Sequence, residues 1–98
     1  MAVYLIIEYT KIEDEDKYFD YIKLAEPIVK KYNGEYIIRT NKIKNLSDDW
    51  KPKRIVMIKF PSDEMLNKCF NSEEYKKITL LRHDSTTSRA IIVDEYVD

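Results

Sequence analysis

Apolar residues recur with two different spacings along this chain, and the two spacings predict different elements. Four runs are rich in β-branched and aromatic residues, which favours strands. These runs cover residues 2–9, 35–39, 54–60 and 89–96. Across residues 14–32 the apolar positions return every three or four residues. That spacing is typical of one face of an amphipathic helix.

The first predicted helix carries at its ends the residues that helix termini favour. Acidic side chains begin it, and Lys30 and Lys31 end it, which matches the partial charges of the helix dipole. Asn33 and Gly34 then predict a left-handed cap. Pro27 has no backbone N–H and predicts a kink or a break within the helix.

Residues 61–85 predict a second helical region. Pro61 ends the third strand, and Ser62 and Ser72 each suit a helix N-cap. The side chains expected on the inner faces of these helices are Met65, Leu66, Cys69, Phe70, Tyr75, Ile78, and Leu81 or Arg82. The resulting β-α-β-β-α-β order predicts an α+β, ferredoxin-like fold. Its four-stranded antiparallel sheet would carry both helical regions on one face.

Both faces of the predicted sheet are apolar near its middle. In the first strand Val3, Leu5 and Ile7 point to one side, whereas Tyr4 and Ile6 point to the other. Two helical regions cover only one face, so the other would expose a larger apolar patch than monomers usually tolerate. We therefore expect a homodimer packed sheet to sheet, with an interface on the order of 2,000 Å² in total. A monomer whose 40–53 loop covers this face is the alternative.

Size, charge and cysteine content narrow the class of protein. The 98 residues are 44% hydrophobic and 36% charged, so we expect one globular domain over residues 1–98. A net charge of −1 argues against nucleic-acid binding, which normally needs a basic excess. The single cysteine cannot form an internal disulfide and fits a cytoplasmic protein. The apolar run 2–7 is too short for a signal core or a membrane span.

Several kinds of chemistry lack the residues that they need. One histidine and one cysteine cannot build a standard zinc site, and one glycine cannot build a phosphate-binding loop, so we expect no metal and no cofactor. His83, Asp84 and Ser85 are adjacent and cannot reach one another as a catalytic triad. The third strand is aliphatic where RNA-recognition domains carry stacking aromatics.

The remaining candidates are two arginines and several aromatic residues that could line one cleft. Arg39 and Arg82 suit an anionic group, and Tyr18, Trp50 and Tyr75 suit a ring or an acyl chain. The structural alternatives are surface ion pairs for the arginines, a loop anchor for the tryptophan and core packing for the tyrosines.

His83 is the candidate catalytic residue because imidazole ordinarily changes charge near neutral pH. A solvated position at a helix end is the alternative for this residue, and ligation of haem iron is a further, minor option.

The chain also resembles, nearly end to end, the small bacterial proteins grouped as domain of unknown function 1330, in the dimeric α/β-barrel superfamily. The resemblance rests on residues 4–8, 32–36, 49–54, 58–62 and 72–75, and on Tyr18, Tyr21, Arg39, Arg82 and Ser88. The Asp-Trp-x-Pro-x-Arg pattern of residues 49–54 is the most specific part. Ser47 departs from the family pattern, which usually has glutamate there.

The resemblance implies a ferredoxin-like protomer and a barrel formed by the sheets of two copies. Relatives in the wider superfamily include cofactor-independent monooxygenases, lactone isomerases and haem-binding proteins. Our leading expectation is a homodimer that binds a small anionic or aromatic organic molecule in a cleft between sheet and helices. Such a small-molecule-binding homodimer could act as a cofactor-independent enzyme. The alternative is a non-catalytic ligand-sensing or interaction module.

Overall fold

The computed structural model describes residues 1–96 and contains the predicted order of elements. The elements are β1 (Val3–Ile12), α1 (Glu15–Lys31), β2 (Glu35–Thr40), β3 (Arg54–Phe60), α2 (Asp63–Phe70), α3 (Glu73–Lys76), α4 (Thr79–Ser85) and β4 (Thr86–Asp94). One predicted helix, starting after Ser72, is divided into α3 and α4. The turn between them ends at Ile78, which precedes α4 without a side-chain cap.

The four strands form an antiparallel sheet in the order β2-β3-β1-β4, which confirms the ferredoxin-like topology. β1 lies in the middle and extends three residues beyond its predicted end. Its last residues pair with Thr86 and Thr87 after a register shift between Tyr9 and Lys11. This pairing explains why β4 begins at residue 86 rather than at 89.

Helix α1 runs through Pro27 without a break. Asp14 caps its start by accepting a hydrogen bond from the backbone N–H of Lys17 at 3.0 Å. Tyr18, Tyr21, Ala25 and Val29 are buried along its inner face. Because tertiary packing supplies most of a helix's stability, this apolar stripe outweighs the one backbone donor that proline removes.

The turn after α1 contains the predicted left-handed cap, and Asn33 and Gly34 have different roles in it. Asn33, not Gly34, has the left-handed conformation, with φ of 65°. Gly34 is needed for space, because a Cβ there would lie 2.5 Å from Cγ1 of Val29 and 2.9 Å from Cε1 of Phe60. The glycine therefore lets the start of β2 pass close to the core.

The core lies between one face of the sheet and the helices. Val3, Leu5 and Ile7 of β1 are buried there, as are Val56, Ile58 and Phe60 of β3. We call this side the helix-covered face. The helix-free face carries Tyr4, Ile6, Ile38, Ile55, Met57, Ile91 and Val93. Within residues 1–96, none of the helices combines the length and the apolar character that a membrane crossing requires.

Candidate functional site

Four tyrosines meet on the helix-covered face, and we call Tyr9, Tyr18, Tyr21 and Tyr75 the tyrosine cluster. All four are buried. The rings of Tyr9 and Tyr18 meet edge to face with centroids 5.0 Å apart. The hydroxyl groups of Tyr21 and Tyr75 share a hydrogen bond of 2.8 Å. The cluster is thus a polar lining inside an apolar core.

Two phenols of this cluster, those of Tyr9 and Tyr21, are held in their protonated form. Burial raises the pKa of Tyr9 and that of Tyr21 far above the ordinary value of 10.0, and neighbouring phenols add to both shifts. These two hydroxyls therefore keep their protons throughout the neutral range. They therefore cannot serve as bases.

Two arginines approach the cluster from opposite sides. Tyr9 pairs across the sheet with Arg54 of β3 and with Ser88 of β4. The Nε of Arg54 donates to the hydroxyl of Tyr18 at 3.0 Å. Arg82 of α4 donates from Nη1 to Oγ of Ser88 at 3.0 Å. The two guanidinium groups therefore flank the position of Tyr9 in the sheet.

The four arginines of the chain differ in the charge of their partners. Arg39 pairs with Glu26 at 2.8 Å, and Arg89 pairs with Glu8 at 2.6 Å. Within residues 1–96, Arg54 and Arg82 have no carboxylate within 4.0 Å. Their positive charges are therefore not neutralised by a direct ion pair.

The contacts of these two unpaired arginines are all neutral. Arg54 donates from Nη1 to Oδ1 of Asn41 at 2.9 Å, besides its bond to Tyr18. The Nε of Arg82 is buried and has no hydrogen-bond partner in the described part of the chain. A partly buried cation without a counterion is destabilising and attracts an anion. The arrangement is therefore suited to an anionic ligand.

Among the described residues, the helix-covered side contains a small cavity and a larger open recess. The cavity, behind the tyrosine cluster, has a volume of only about 20 Å³, which is room for one water molecule. The recess has a volume of about 260 Å³. It is lined by Ile12, Glu15, Tyr18, Phe19, Ile22, Asn41 and Arg54. An organic molecule therefore has room beside Tyr18 and Arg54, at the surface of the cluster, rather than in the interior.

A second polar group lies on the helix-free face. The carboxylate of Glu8 accepts a hydrogen bond from Nε of Arg89 at 2.6 Å and another from the indole Nε1 of Trp50 at 2.9 Å. The bond from Arg89 lowers the pKa of this carboxyl group, burial opposes the shift, and the bond from Trp50 adds to it. These three side chains border a recess of about 360 Å³, which is also lined by Ile6, Ile55, Ala90 and Ile91.

The structure brings together only some of the residues predicted for one cleft. Tyr18, Tyr75 and Arg82 lie on the helix-covered side. Arg39 lines the small cavity on that side, but its charge is paired with Glu26, and it stacks over the ring of Tyr36. Trp50 does not join them, because its indole group is bonded to Glu8 on the opposite face. The predicted convergence therefore does not include Trp50.

His83, the candidate catalytic residue, is exposed on α4 next to Arg82. Sequence reasoning missed Tyr9 and Arg54 as site residues. Tyr9 continues the alternation of buried residues in β1, and Arg54 ends the Asp-Trp-x-Pro-x-Arg segment, so both carried a detectable pattern. Within residues 1–96 no three histidine, cysteine or acidic side chains are grouped for a metal ion.

Comparison with known proteins supports the same fold. The sequence model of a family described as Domain of unknown function (DUF1330) matches residues 2–96. No curated protein matches the chain in sequence. The chain is similar in structure to the RPA0582 protein of unknown function from Rhodopseudomonas palustris, with a TM-score of 0.83, 12% identity and coverage of 99% of this chain and 84% of that one.

Two further solved structures are similar over almost their whole length. One is a dimeric ferredoxin-like protein of unknown function from Jannaschia sp. CCS1, with a TM-score of 0.79, 7% identity and coverage of 96% and 99% of the two chains. The other is SnoaB, a cofactor-independent oxygenase from Streptomyces nogalater, with a TM-score of 0.73, 7% identity and coverage of 99% and 95%. At these identities the likeness shows the fold alone.

Proposed function

Since the chain belongs to the family described as Domain of unknown function (DUF1330), which assigns no reaction, we propose a function from the site itself. We propose that the protein is a homodimer that binds a small anionic or aromatic organic molecule on the helix-covered face of each protomer. The anionic group lies at Arg54, the ring packs against Tyr18, and Arg82 adds positive charge from the far side of Tyr9.

The helix-free face supports the proposed dimer. Ile91 is 59% exposed there, and Ile38 and Val93 are each 37% exposed. The loop between β2 and β3 reaches this face through Trp50, but Leu46 of the same loop remains 95% exposed. The loop therefore covers one end of the face and leaves the rest open, which supports a second copy as its cover. The similar protein from Jannaschia sp. CCS1 is dimeric.

The observation that carries the proposed ligand is the lack of carboxylate partners at Arg54 and Arg82. Guanidinium groups bind carboxylate and phosphate through paired hydrogen bonds, and such bonds strengthen away from water. The recess beside Arg54 is close to the lower end of small-molecule sites, about 300 Å³. Tyr18 and Phe19 supply aromatic surface within the same recess.

The tyrosine cluster favours binding over proton-transfer catalysis. Tyr9 and Tyr21 keep their protons, and the arginines are permanently charged, so neither group can abstract a proton. An enzymatic role would use the positive charge to stabilise an anion that forms on the substrate. Our first candidate function is therefore a non-catalytic ligand sensor. The second is an enzyme of this kind, which the similarity to SnoaB, a cofactor-independent oxygenase, supports.

A panel of small aromatic carboxylates tests the ligand proposal, with benzoate as the first probe and neutral benzyl alcohol as its matched analogue. We expect benzoate, but not benzyl alcohol, to raise the melting temperature of the protein. Arg54→Gln should abolish this stabilisation, and Arg82→Gln should reduce it. The control is Arg39→Gln, which should keep it, because Glu26 already neutralises that arginine.

Two results would contradict the proposal. One is that no carboxylate in the panel stabilises the protein more than its neutral analogue. The other is that Arg39→Gln and Arg54→Gln lose the effect equally, since the distinction between paired and unpaired arginines would then have no consequence.

A further inference from the structure

We infer that the site at Arg54 and Arg82 selects the ionised form of weakly acidic phenols and enols. A bound phenol would release its hydroxyl proton to the solvent at a lower pH than the same phenol does in water. This inference rests on the proposed function, and it narrows the ligand class from any anion to oxygen acids that change charge near neutral pH.

The groups that face the site are almost all positively charged or neutral. Tyr18 of α1 and Arg54 of β3 line the recess itself. The groups beside it in the tyrosine cluster are Tyr9 of β1, Tyr21 of α1, Tyr75 of α3, Arg82 of α4 and Ser88 of β4. Asn41 lies after β2 and already accepts a bond from Arg54. The acidic side chain in the recess is that of Glu15, on α1, and it makes no ion pair with Arg54.

The remaining charges near the site cancel or lie outside it. Arg39 and Tyr36 reach the small inner cavity from β2, and Glu26 offsets the charge of Arg39. His83 follows Arg82 on α4 but is exposed. The recess is therefore lined by the guanidinium group of Arg54 and the carboxylate of Glu15, and Arg82 adds a second positive charge from the far side of Tyr9.

A ligand oxygen in this field is better accommodated as an anion than as a hydroxyl group. A neutral phenol needs an acceptor for its proton, whereas an anion only accepts hydrogen bonds, and the arginines supply only donors. An opposite charge within about 4–6 Å typically moves a pKa by about 1–3 units in favour of the charged form.

Two of the protein's own phenols, Tyr9 and Tyr21, do not compete for this ionisation. Burial raises the pKa of Tyr9 and Tyr21, so these hydroxyls remain protonated while a more acidic ligand phenol loses its proton. Tyr18 also lies beside Arg54, and it already accepts the hydrogen bond from the guanidinium Nε.

The probe that tests this inference is para-nitrophenol, because its anion absorbs visible light and reports its ionisation directly. Binding is measured by difference absorbance at several pH values across the neutral range, with excess protein. We expect the apparent pKa of the bound phenol to be lower than that of the free phenol by about 1–3 pH units. Arg54→Gln should remove most of the shift, and Arg82→Gln part of it, whereas Arg39→Gln should leave it in place.

A second probe, para-nitrobenzoate, separates failure of the inference from failure of the proposed function. It is an anion throughout the neutral range, so it reports binding without any change in ionisation. If para-nitrobenzoate binds while para-nitrophenol fails to bind or shows no lowered pKa, the inference is overturned and the proposed function stands. If neither probe binds, the proposed function falls as well. Should Arg82→Gln fail to fold, the Arg54→Gln variant alone decides, because Arg54 lies on the rim of the recess.

Discussion

The two faces of the sheet carry similar residues in opposite electrostatic arrangements. On the helix-free face, Arg89 is neutralised by Glu8, and the surrounding side chains are largely apolar. On the helix-covered face, Arg54 and Arg82 contact hydroxyl and amide groups only. If the helix-free face is buried against a second copy, its ion pair leaves no uncompensated charge, whereas the unpaired cations of the helix-covered face would need an anion to compensate them.

The first prediction concerns the buried hydrogen bond of the helix-covered face. Tyr21→Phe leaves the hydroxyl of Tyr75 without its partner and should lower the free energy of unfolding by about 1–3 kcal/mol. The double variant with Tyr75→Phe should cost less than the sum of the two single changes, because no unpaired hydroxyl group then remains. Chemical denaturation of the wild type, the two single variants and the double variant measures the four free energies of unfolding.

Tyr4→Phe on the helix-free face is the control for that cycle. Tyr4 is only half-buried, so the change should stay within about 0.5 kcal/mol. Strict additivity of the Tyr21 and Tyr75 changes would show that the two hydroxyls do not depend on each other.

A smaller effect is expected from the ion pair of the helix-free face. The hydrogen bond from Arg89 holds the pKa of Glu8 below its ordinary value of 4.5 in the folded protein. Its contribution to stability is therefore complete above that ordinary value and is lost as the pH falls through the lower folded value. Glu8→Gln should accordingly be less stable than the wild type at neutral pH, and the difference should shrink in acid.

Melting temperatures measured at falling pH test this prediction. Glu64→Gln is the control, because it removes an exposed carboxylate that is paired with Lys68 on the surface of α2. A difference between Glu8→Gln and the wild type that stays constant into strong acid would show that the carboxylate of Glu8 contributes no pH-dependent stability.

Much of the fold follows from local patterns in the sequence. Alternation in β1 separates Leu5 from Ile6 correctly, and the Ser62 and Ser72 caps start helices as expected. The exact end of β1 was not predictable, because it depends on a register shift beyond Tyr9 that only pairing with β4 produces. The division of α3 from α4 likewise has no local signal, because Ile78 precedes α4 without a side-chain cap.

The candidate site was harder to predict, because it depends on how side chains are paired in space. Nothing in the local sequence distinguishes Arg39, which has a carboxylate partner 13 residues away, from Arg82, which has none among the described residues. Trp50 lies in a loop without periodicity, so the sequence does not indicate which face of the sheet its side chain contacts. In the structure its indole group is bonded to Glu8 on the helix-free face.

The most direct test of the separate roles of the two faces is the mass in solution of three proteins by light scattering: the wild type, Ile91→Asp and Ile92→Asp. The two isoleucines are neighbours in β4 and similarly exposed, at 59% and 50%, but Ile91 pairs with Ile6 on the helix-free face and Ile92 with Leu5 on the other. We predict twice 11.8 kDa for the wild type and for Ile92→Asp, and 11.8 kDa for Ile91→Asp. A wild type of 11.8 kDa, or a dimer that only Ile92→Asp dissociates, would contradict the account.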